Sequence, residues 1–342
     1  MENYHKIKEA LSNQILGNEE KEEDLLKRFN ISFLEFNGII YELKQEGYNI
    51  QKYVEEDEEL KTTWYKNWGH SKLGDPMNYK IIDNDDEIRI MLISDTRLGS
   101  IYQQLSIINQ CYELAHEMGV KYVFHNGDIS EGEYRGEYAE WNDKLLFCRG
   151  LDEQTKYIAN NYPYVKGMNT YFITGDHDRT HYTKKRPLDI GKMIADKRED
   201  MIYLGPKSKE ITFVNENSLN DIKLFMTHPK GAVPYTVSYR PQQYIYSMRG
   251  EDDIDILSMG HLLNCDSFDE RGIFEFQVPS LCATTPEMKE AKLANDMGAW
   301  ILIIKKNRFG KIASIRPRIM PFYNSLEEDY KRSKVLKLGG IK

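Results

Sequence analysis

With 342 residues, of which 40% are hydrophobic, the chain can bury the core of one large domain and a small one. Its 46 basic and 54 acidic residues give a formal net charge of −8, which excludes non-specific electrostatic binding of nucleic acid or anionic lipid by the surface as a whole. No apolar run reaches the roughly 18 residues of a membrane helix, the N-terminus has no signal core, and the four cysteines form no CxxC pair. We therefore expect a soluble cytoplasmic protein with reduced thiols and no membrane partner.

Residues 1–60 have the pattern of a small helical domain. Apolar residues at helical spacing predict two short helices, marked by Leu25, Leu26 and Phe29 and then by Phe36, Ile39, Ile40 and Leu43. With the extended stretch "YNIQKYVEE" after them, these helices resemble a winged helix-turn-helix domain. The second helix offers only Lys44 as a basic side chain, and residues 1–80 are acidic on balance. DNA binding, docking of a protein partner and a purely structural role therefore all stay open for this domain.

Residues 61–85 are predicted to be a linker, because Gly69, Gly74 and Pro76 punctuate them. In residues 86–328, apolar strands such as "IRIMLIS", "VKYVFHNGD" and "TYFITGDHD" first alternate with helices and then follow one another with few helices between them. This pattern predicts an α/β fold in which two facing mixed β-sheets are flanked by helices. Residues 329–342 are rich in basic side chains and are predicted to form a solvated tail.

Polar clusters follow five of the predicted strands. Strand ends are where α/β folds place their sites, because side chains from several loops converge there on rigid supports. The clusters contain only carboxylates and imidazoles, which suit Mn, Fe or Zn as ligands. Their members are Asp95, Asp128, Asp176 with His177 and Asp178, His228, and His261.

The motifs "SDTR", "NGD", "GDHD", "MTH" and "GHLL", in this order, resemble the calcineurin-like metallophosphoesterases. That family includes the Mre11-type nucleases, and its pattern is D-x-H, G-D, G-N-H-D/E, H and G-H-x-H. The match spans about residues 88–325, and "VPSLCATTPEMKEAKLANDMGAWILII" also looks like DNA-repair phosphoesterases of phages and their hosts. The resemblance implies a four-layer sandwich and a metal-dependent phosphodiesterase, and the expected activity is that of a nuclease that binds DNA.

The resemblance also implies two metal ions bridged by Asp128. The ligands of the second ion would be Asp128, Asp176, His228 and His261, with Asp176 in place of the family's asparagine. The first ion would use Asp95 and Asp128, but Arg97 and Leu263 stand where the family has histidines. We therefore expect a degenerate first site and one or two divalent ions per chain, with Mn as the first expectation and Fe or Zn as alternatives.

The resemblance assigns catalytic roles to His177 and Asp178, and guanidinium chemistry suggests one for Arg97, which departs from the family pattern. His177 would stabilise or protonate the leaving oxygen, and Asp178 would orient its imidazole. Arg97 would either present its guanidinium to a phosphate oxygen or simply pair with Asp95. Loss of the first ion would weaken catalysis, so the alternative is a catalytically weak or inactive protein with a binding, scaffold or regulatory role.

The stretch "AVPYTVSYRPQQYIYSMR" supplies the candidates for substrate binding. In it Tyr239 and Arg240 lie beside other tyrosines, and aromatic rings interleaved with arginines can stack on bases and hold phosphates. The same rings could instead pack into the core. Nucleic acid is therefore one expected partner and a protein bound by residues 1–60 is another, while the sequence makes no prediction of oligomeric state.

Overall fold

The computed structural model describes residues 2–15, 20–45, 48–56, 61–70, 78–134, 144–182, 188–218, 220–248, 252–332 and 334–338. The chain divides into two compact units, Met1–Pro76 and Met77–Lys342. None of the helices in the described part of the chain is both long and apolar enough to cross a membrane.

The first unit packs three helices against a small antiparallel sheet. Its elements are α1 (Glu2–Gln14), β1 (Glu20–Lys21), α2 (Glu22–Phe29), α3 (Phe33–Gln45), β2 (Tyr48–Glu56) and β3 (Lys61–His70). The strand order is β1-β3-β2, and β3 runs antiparallel to both neighbours. Side chains of all three helices meet the sheet in one core, where the Phe36 and Tyr65 rings lie edge to face at 4.9 Å. The two predicted helices are α2 and α3, and the left-handed Asn30 (φ 49°) ends α2.

The predicted linker, residues 61–85, contains two strands. β3 occupies Lys61–His70, and β4 (Asn78–Ile82) pairs in the second unit with residues about 130 positions away. Residues 71–77 of the predicted linker lie outside the described residues. The linker prediction is wrong for the two strands because it relied on glycine and proline, whereas sheet pairing and burial of Tyr65 determine the conformation.

The second unit contains two six-stranded mixed β-sheets. Its further strands are β5 (Glu87–Ile93), β6 (Tyr122–His125), β7 (Tyr164–Val165), β8 (Asn169–Thr174), β9 (Met201–Pro206), β10 (Ser208–Val214), β11 (Ile222–Thr227), β12 (Ile256–Met259), β13 (Asp266–Glu270), β14 (Ile273–Gln277), β15 (Gly298–Lys306), β16 (Ile312–Pro321) and β17 (Lys337–Leu338). Its helices are α4 (Leu105–Glu117), α5 (Gly150–Asn161), α6 (Ile190–Ala195), α7 (Tyr239–Ser247), α8 (Pro286–Glu290) and α9 (Asp329–Arg332). The first sheet has the order β16-β15-β5-β6-β8-β9, and the second has the order β13-β14-β12-β11-β10-β4. Within these sheets β5, β6, β8 and β9 run parallel, as do β11, β12 and β14.

The two sheets pack face to face, with helices on their outer faces. In β5, Ile90 and Leu92 point into the core between the sheets, whereas Met91 and Ile93 point towards α4. This alternation follows from the two-residue period of a strand, and burial on both faces explains why the sequence is continuously apolar. Each such fully buried side chain stabilises the fold by about 1.5–3 kcal/mol. The predicted fold class, two mixed sheets flanked by helices, is confirmed.

The C-terminal segment is folded over its described residues, so the predicted solvated tail is wrong for them. Asp329 is buried and accepts a hydrogen bond from the backbone NH of Ser106 (3.1 Å), in the first turn of α4 where backbone NH groups lack helical partners. β17 pairs in parallel with β7. These contacts join residues more than 170 positions apart, which local composition does not reveal. Residues 333 and 339–342 of the predicted tail lie outside the described residues.

Glu275 is a buried acid on β14, remote in sequence from the strand-end clusters. Neither of its carboxyl oxygens has a hydrogen-bond partner among the described residues. Burial, with a contribution from Asp266, raises the pKa of Glu275 from 4.5 to about 9. Its carboxyl group is therefore protonated in the folded protein at neutral pH.

Replacing Glu275 by glutamine is expected to stabilise the protein at alkaline pH. Because the folded pKa lies above the unfolded one, the wild type has its full stability below pH 4.5 and loses it as the pH rises towards 9. Glu275→Gln removes this loss, so its advantage grows from none at pH 4 to roughly 1–3 kcal/mol at pH 8. Urea unfolding at both pH values measures the difference, with the exposed Glu290→Gln as control. An advantage that is equal at pH 4 and pH 8 would contradict the assignment.

Candidate metal centre

The predicted clusters come together where the strands of both sheets end. Parallel strands place their carboxyl ends at one edge, so the loops after β5, β6 and β8 meet there, as do those after β11 and β12. The Asn126 side chain joins the two sheets, since its Nδ2 donates to Ser258 O (2.8 Å) and its Oδ1 accepts from Ser258 Oγ (2.8 Å). The loops carry five non-glycine residues at positive φ, which costs each of them roughly 1–3 kcal/mol. They are Asp95 (50°), Arg97 (43°), Asp128 (55°), His261 (70°) and Leu263 (61°).

Four side chains of the predicted strand-end clusters can surround a cation. One ligand atom from each of them lies within 4.8 Å of the other three, and the residues are Asp128, Asp176, His228 and His261. His228 Nε2 lies 3.0 Å from Asp176 Oδ1 and 3.2 Å from Asp128 Oδ2, and His261 Nδ1 lies 3.3 Å from Asp176 Oδ1. Asp128 Oδ2 is buried without a hydrogen-bond partner among the described residues, as expected of an atom that binds an ion. These are the residues that the sequence assigned to the second metal.

Backbone contacts orient both histidines for metal binding. His228 Nδ1 donates to Asn126 O (2.7 Å), and His261 Nε2 donates to Gly231 O (2.6 Å). In the neutral imidazole the lone pair is therefore on the other nitrogen, which faces the carboxylates and can bind an ion. In the metal-free protein that nitrogen can instead carry a proton and donate to Asp176. The close approach of these groups requires glycine at position 175, where an added Cβ would lie 2.1 Å from Asp128 Oδ1.

The charge of the site fits a divalent cation of the Mn, Fe or Zn type. Two carboxylates and two imidazoles, with no thiolate, form the donor set. Although burial acts to raise it, hydrogen bonds from His228 and His261 hold the pKa of Asp176 far below its usual range. Asp176 thus presents a charged oxygen to the centre. The residues present therefore fit the metal that the sequence predicts.

His177 lies beside this centre with only one of its ring nitrogens tied to the backbone. Its backbone NH donates to Asp128 Oδ1 (2.9 Å), and its Nδ1 donates to Glu131 O (3.0 Å). Nε2 consequently carries the lone pair or the exchangeable proton, 4.0 Å from Asp128 Oδ2. Burial and Arg97 act to lower the pKa of His177, but Asp128 and Glu131 raise it to about 9. The Tyr134 ring packs edge to face against the imidazole with ring centroids 5.1 Å apart, which further restricts its orientation.

Asp178 does not orient His177, so the predicted role of this carboxylate is wrong. Its oxygens accept hydrogen bonds from Ile129 N (3.2 Å), Ser130 N (2.8 Å), Ser130 Oγ (2.7 Å) and Gly175 N (2.9 Å). Asp178 therefore ties the loop after β6 to the loop after β8. Burial and the neighbouring Asp128 raise the pKa of Asp178 to about 6. Glu131 performs the orienting role, and only its place three residues after Asp128 in "GDISEG" signalled it.

The position implied for a first metal has a different composition. Arg97 Nη2 lies 3.6 Å from Asp95 Oδ1, and Arg97 Nη1 lies 4.0 Å from Glu131 Oε1. Leu263 is buried in an apolar cluster with Cys282 and Met288 and offers no ligand atom. Asp95 is fully buried, and its backbone NH donates to Gly127 O (3.0 Å). The donor set at this position does not fit a second divalent ion.

Of the two candidates for substrate binding, Arg240 lies near a backbone segment that contacts the site. Arg240 Nη2 lies 3.4 Å from Ala232 O, next to the Gly231 carbonyl that accepts from His261. Tyr239 is half-exposed and its hydroxyl accepts from Gln243 Nε2 (3.0 Å), one turn along α7. Tyr235, which the site prediction omitted, is fully exposed. The last residue of the tyrosine-rich stretch, Arg249, lies outside the described residues.

Two packed mixed sheets with a carboxylate–imidazole centre at their shared edge define an α/β sandwich with a candidate metal site. No family model matches the chain. No curated protein matches it either. Solved structures that are similar include an archaeal phosphodiesterase (14% identity, 68% of this chain and 100% of that chain, TM-score 0.38). They also include vacuolar protein sorting 29 of Cryptosporidium parvum (16%, 70% and 100%, 0.37) and the anchor protein GAP50 of Plasmodium (10%, 71% and 87%, 0.40). At these identities and TM-scores the similarities establish neither the family nor the chemistry of this chain.

Proposed function

We propose that the protein is a metal-dependent phosphodiesterase of the calcineurin-like metallophosphoesterase family. The observation that carries the proposal is the set of four side chains whose ligand atoms lie within 4.8 Å of one another, next to a histidine whose Nδ1 is held and whose Nε2 can exchange a proton. The ion would be held by Asp128, Asp176, His228 and His261, and Mn is the expected metal, with Fe and Zn as alternatives. When bound, it supplies Lewis acidity and an activated water.

The residues of the chain supply the remaining chemistry. The water oxygen forms a new P–O bond while the P–O bond to the leaving group breaks, and the water loses a proton to solvent. His177 Nε2 gives the leaving oxygen the proton that it needs, because Nδ1 is held by Glu131 O and cannot swing away. Asp178 supports this geometry indirectly, since it fastens the two loops that carry Asp128 and His177.

Metal add-back to stripped protein tests the proposed function. Wild type supplied with Mn is expected to hydrolyse bis-p-nitrophenyl phosphate, and the metal-free protein is expected to be inactive. His228→Gln removes one ligand and should lose metal-dependent turnover, whereas His116→Gln, on the exposed face of α4, should keep it. If wild type with bound Mn is no faster than His228→Gln, the alternative hypothesis holds, and the protein is an inactive binding or regulatory protein with this fold.

We further propose that the substrate is nucleic acid. Exposed Tyr235 and Tyr239 and the partly exposed Arg240 follow Gly231 in the chain, and the Gly231 carbonyl accepts a hydrogen bond from His261. Stacking of a base on a tyrosine contributes about 1–3 kcal/mol by alanine substitution.

The double variant Tyr235→Ala/Tyr239→Ala is expected to weaken binding of a single-stranded oligonucleotide by about 10-fold or more. Its turnover of bis-p-nitrophenyl phosphate should not change, because that compound is too small to reach both rings. Fluorescence anisotropy measures the first quantity, and Tyr323→Ala, which removes another highly exposed ring, is the control. Equal losses with both substrates would argue against a nucleic-acid platform.

For the first unit we propose a winged-helix domain that binds DNA or a protein partner. The element order α-β-α-α-β-β and the sheet order β1-β3-β2 support the winged-helix assignment. Phe33 and Leu34 at the start of α3 are 51% and 82% exposed, which favours contact with a protein over contact with phosphates.

A further inference from the structure

Arg97 is a buried cation that the described residues leave short of hydrogen bonds. Its residue exposure is 8%, and its Nε has no hydrogen-bond partner among the described residues. The two Nη contacts, at 3.6 Å to Asp95 and 4.0 Å to Glu131, are both longer than a hydrogen bond. Because a guanidinium has five donors and does not lose its charge in proteins, such a group is costly to bury without acceptors.

The surrounding carboxylates show the same deficit. Asp95 Oδ1, Asp128 Oδ2 and Glu131 Oε2 are all buried without hydrogen-bond partners among the described residues. The backbone holds Arg97 in this place, since its NH donates to Asp128 O (3.1 Å) and its φ is 43°. A strained backbone is thus maintained at the position that places the guanidinium among these carboxylates.

We infer that Arg97 takes the place of a second metal ion, so that the chain binds one divalent cation and uses the guanidinium to hold the non-bridging oxygens of a phosphate. The inference rests on the proposed function and adds a role for this residue. The planar guanidinium of arginine can bind two oxygens of a phosphate at once, whereas the ammonium group of lysine acts as a point charge. A second divalent ion at this place would meet a fixed positive charge, and Leu263 would give it no ligand.

Two binding measurements on full-length protein test this inference. Metal analysis after equilibration with excess Mn should find one ion per chain in wild type. Calorimetry of inorganic phosphate with the Mn-loaded protein should then show an affinity that falls about 10- to 100-fold in Arg97→Gln, the range of a charged hydrogen bond. Arg318→Gln, on the exposed surface of β16, should bind phosphate as wild type does.

Arg97→Lys covers the case in which Arg97→Gln does not fold. It keeps the charge but loses the planar guanidinium, so phosphate binding should weaken less than in Arg97→Gln and still measurably. Two Mn ions per wild-type chain, or unchanged phosphate affinity in a folded Arg97 variant, would overturn the inference.

These readouts separate the inference from the proposed function. If the protein binds two Mn ions and hydrolyses phosphodiesters, the proposed function holds and the proposed role of Arg97 fails. If phosphate binding depends on Arg97 but the protein has no turnover, the role of Arg97 in anion binding holds and the proposed function fails.

Discussion

Replacing His177 by glutamine is expected to slow hydrolysis of a phosphodiester by about 10²- to 10⁴-fold, the usual contribution of a positioned general acid. The glutamine retains the backbone NH that donates to Asp128, and His177 is not one of the four candidate ligands. Binding of Mn should therefore remain at the wild-type level, and the loss should appear in kcat. Steady-state kinetics together with metal analysis measures both quantities.

The leaving group distinguishes proton donation from a structural role of His177. p-Nitrophenolate departs without a proton, so its ester should lose less activity in His177→Gln than an ester with an alkyl leaving group, such as a dinucleotide. A structural defect would slow both substrates by the same factor. Equal losses would thus remove His177 from the role of acid and leave it as a support for the loop after β8.

Replacing Asp128 by asparagine is expected to have the largest effect, because this side chain joins a candidate metal ligand to the loop that carries His177. Oδ1 accepts from the backbone NH of His177, while Oδ2 faces His228 Nε2 at 3.2 Å without a hydrogen-bond partner among the described residues. The asparagine amide can still accept the hydrogen bond from His177, but it replaces a negatively charged ligand of the ion by a neutral one. The Kd for Mn should rise at least about 100-fold, and hydrolysis should fall below detection.

Titration of metal-stripped protein with Mn measures the effect of Asp128→Asn, with the exposed Asp269→Asn as control. Removal of a buried charge also changes stability, so unfolding by urea must be measured alongside. If the Asp128→Asn variant is folded and binds Mn as wild type does, the four candidate ligands, Asp128, Asp176, His228 and His261, do not form the metal site.

The sequence predicted the architecture and the grouping of the site for one physical reason. Continuous apolar strands must be buried on both faces, and the polar residues that end them must then meet at one edge, as Asp128, His228 and His261 do. The direction in which a side chain points is not encoded in this way. Asp178 follows His177 directly, yet its carboxylate turns back to the NH groups of the loop after β6.

The sequence analysis missed two pairings, the hairpin of β3 with β2 and the two-residue pairing of β17 with the distant β7. β3 and β17 look polar, and their partners, not their own composition, determine them as strands. The role of Glu131 was missed because it acts partly through its backbone carbonyl, which any residue provides. The winged-helix domain, the metal and the nucleic-acid substrate remain predictions.

The position of β15 between β5 and β16 has a consequence for how the second unit is synthesised. Leu92 pairs with Trp300, so the strand that begins the first sheet must wait for a partner made about 200 residues later. Until then, β5 presents an open edge on one side during translation, and an apolar edge of this kind recruits other chains. We therefore expect the second unit to complete its fold only after β15 has been synthesised, and a chain truncated before residue 298 to aggregate although it keeps every candidate metal ligand.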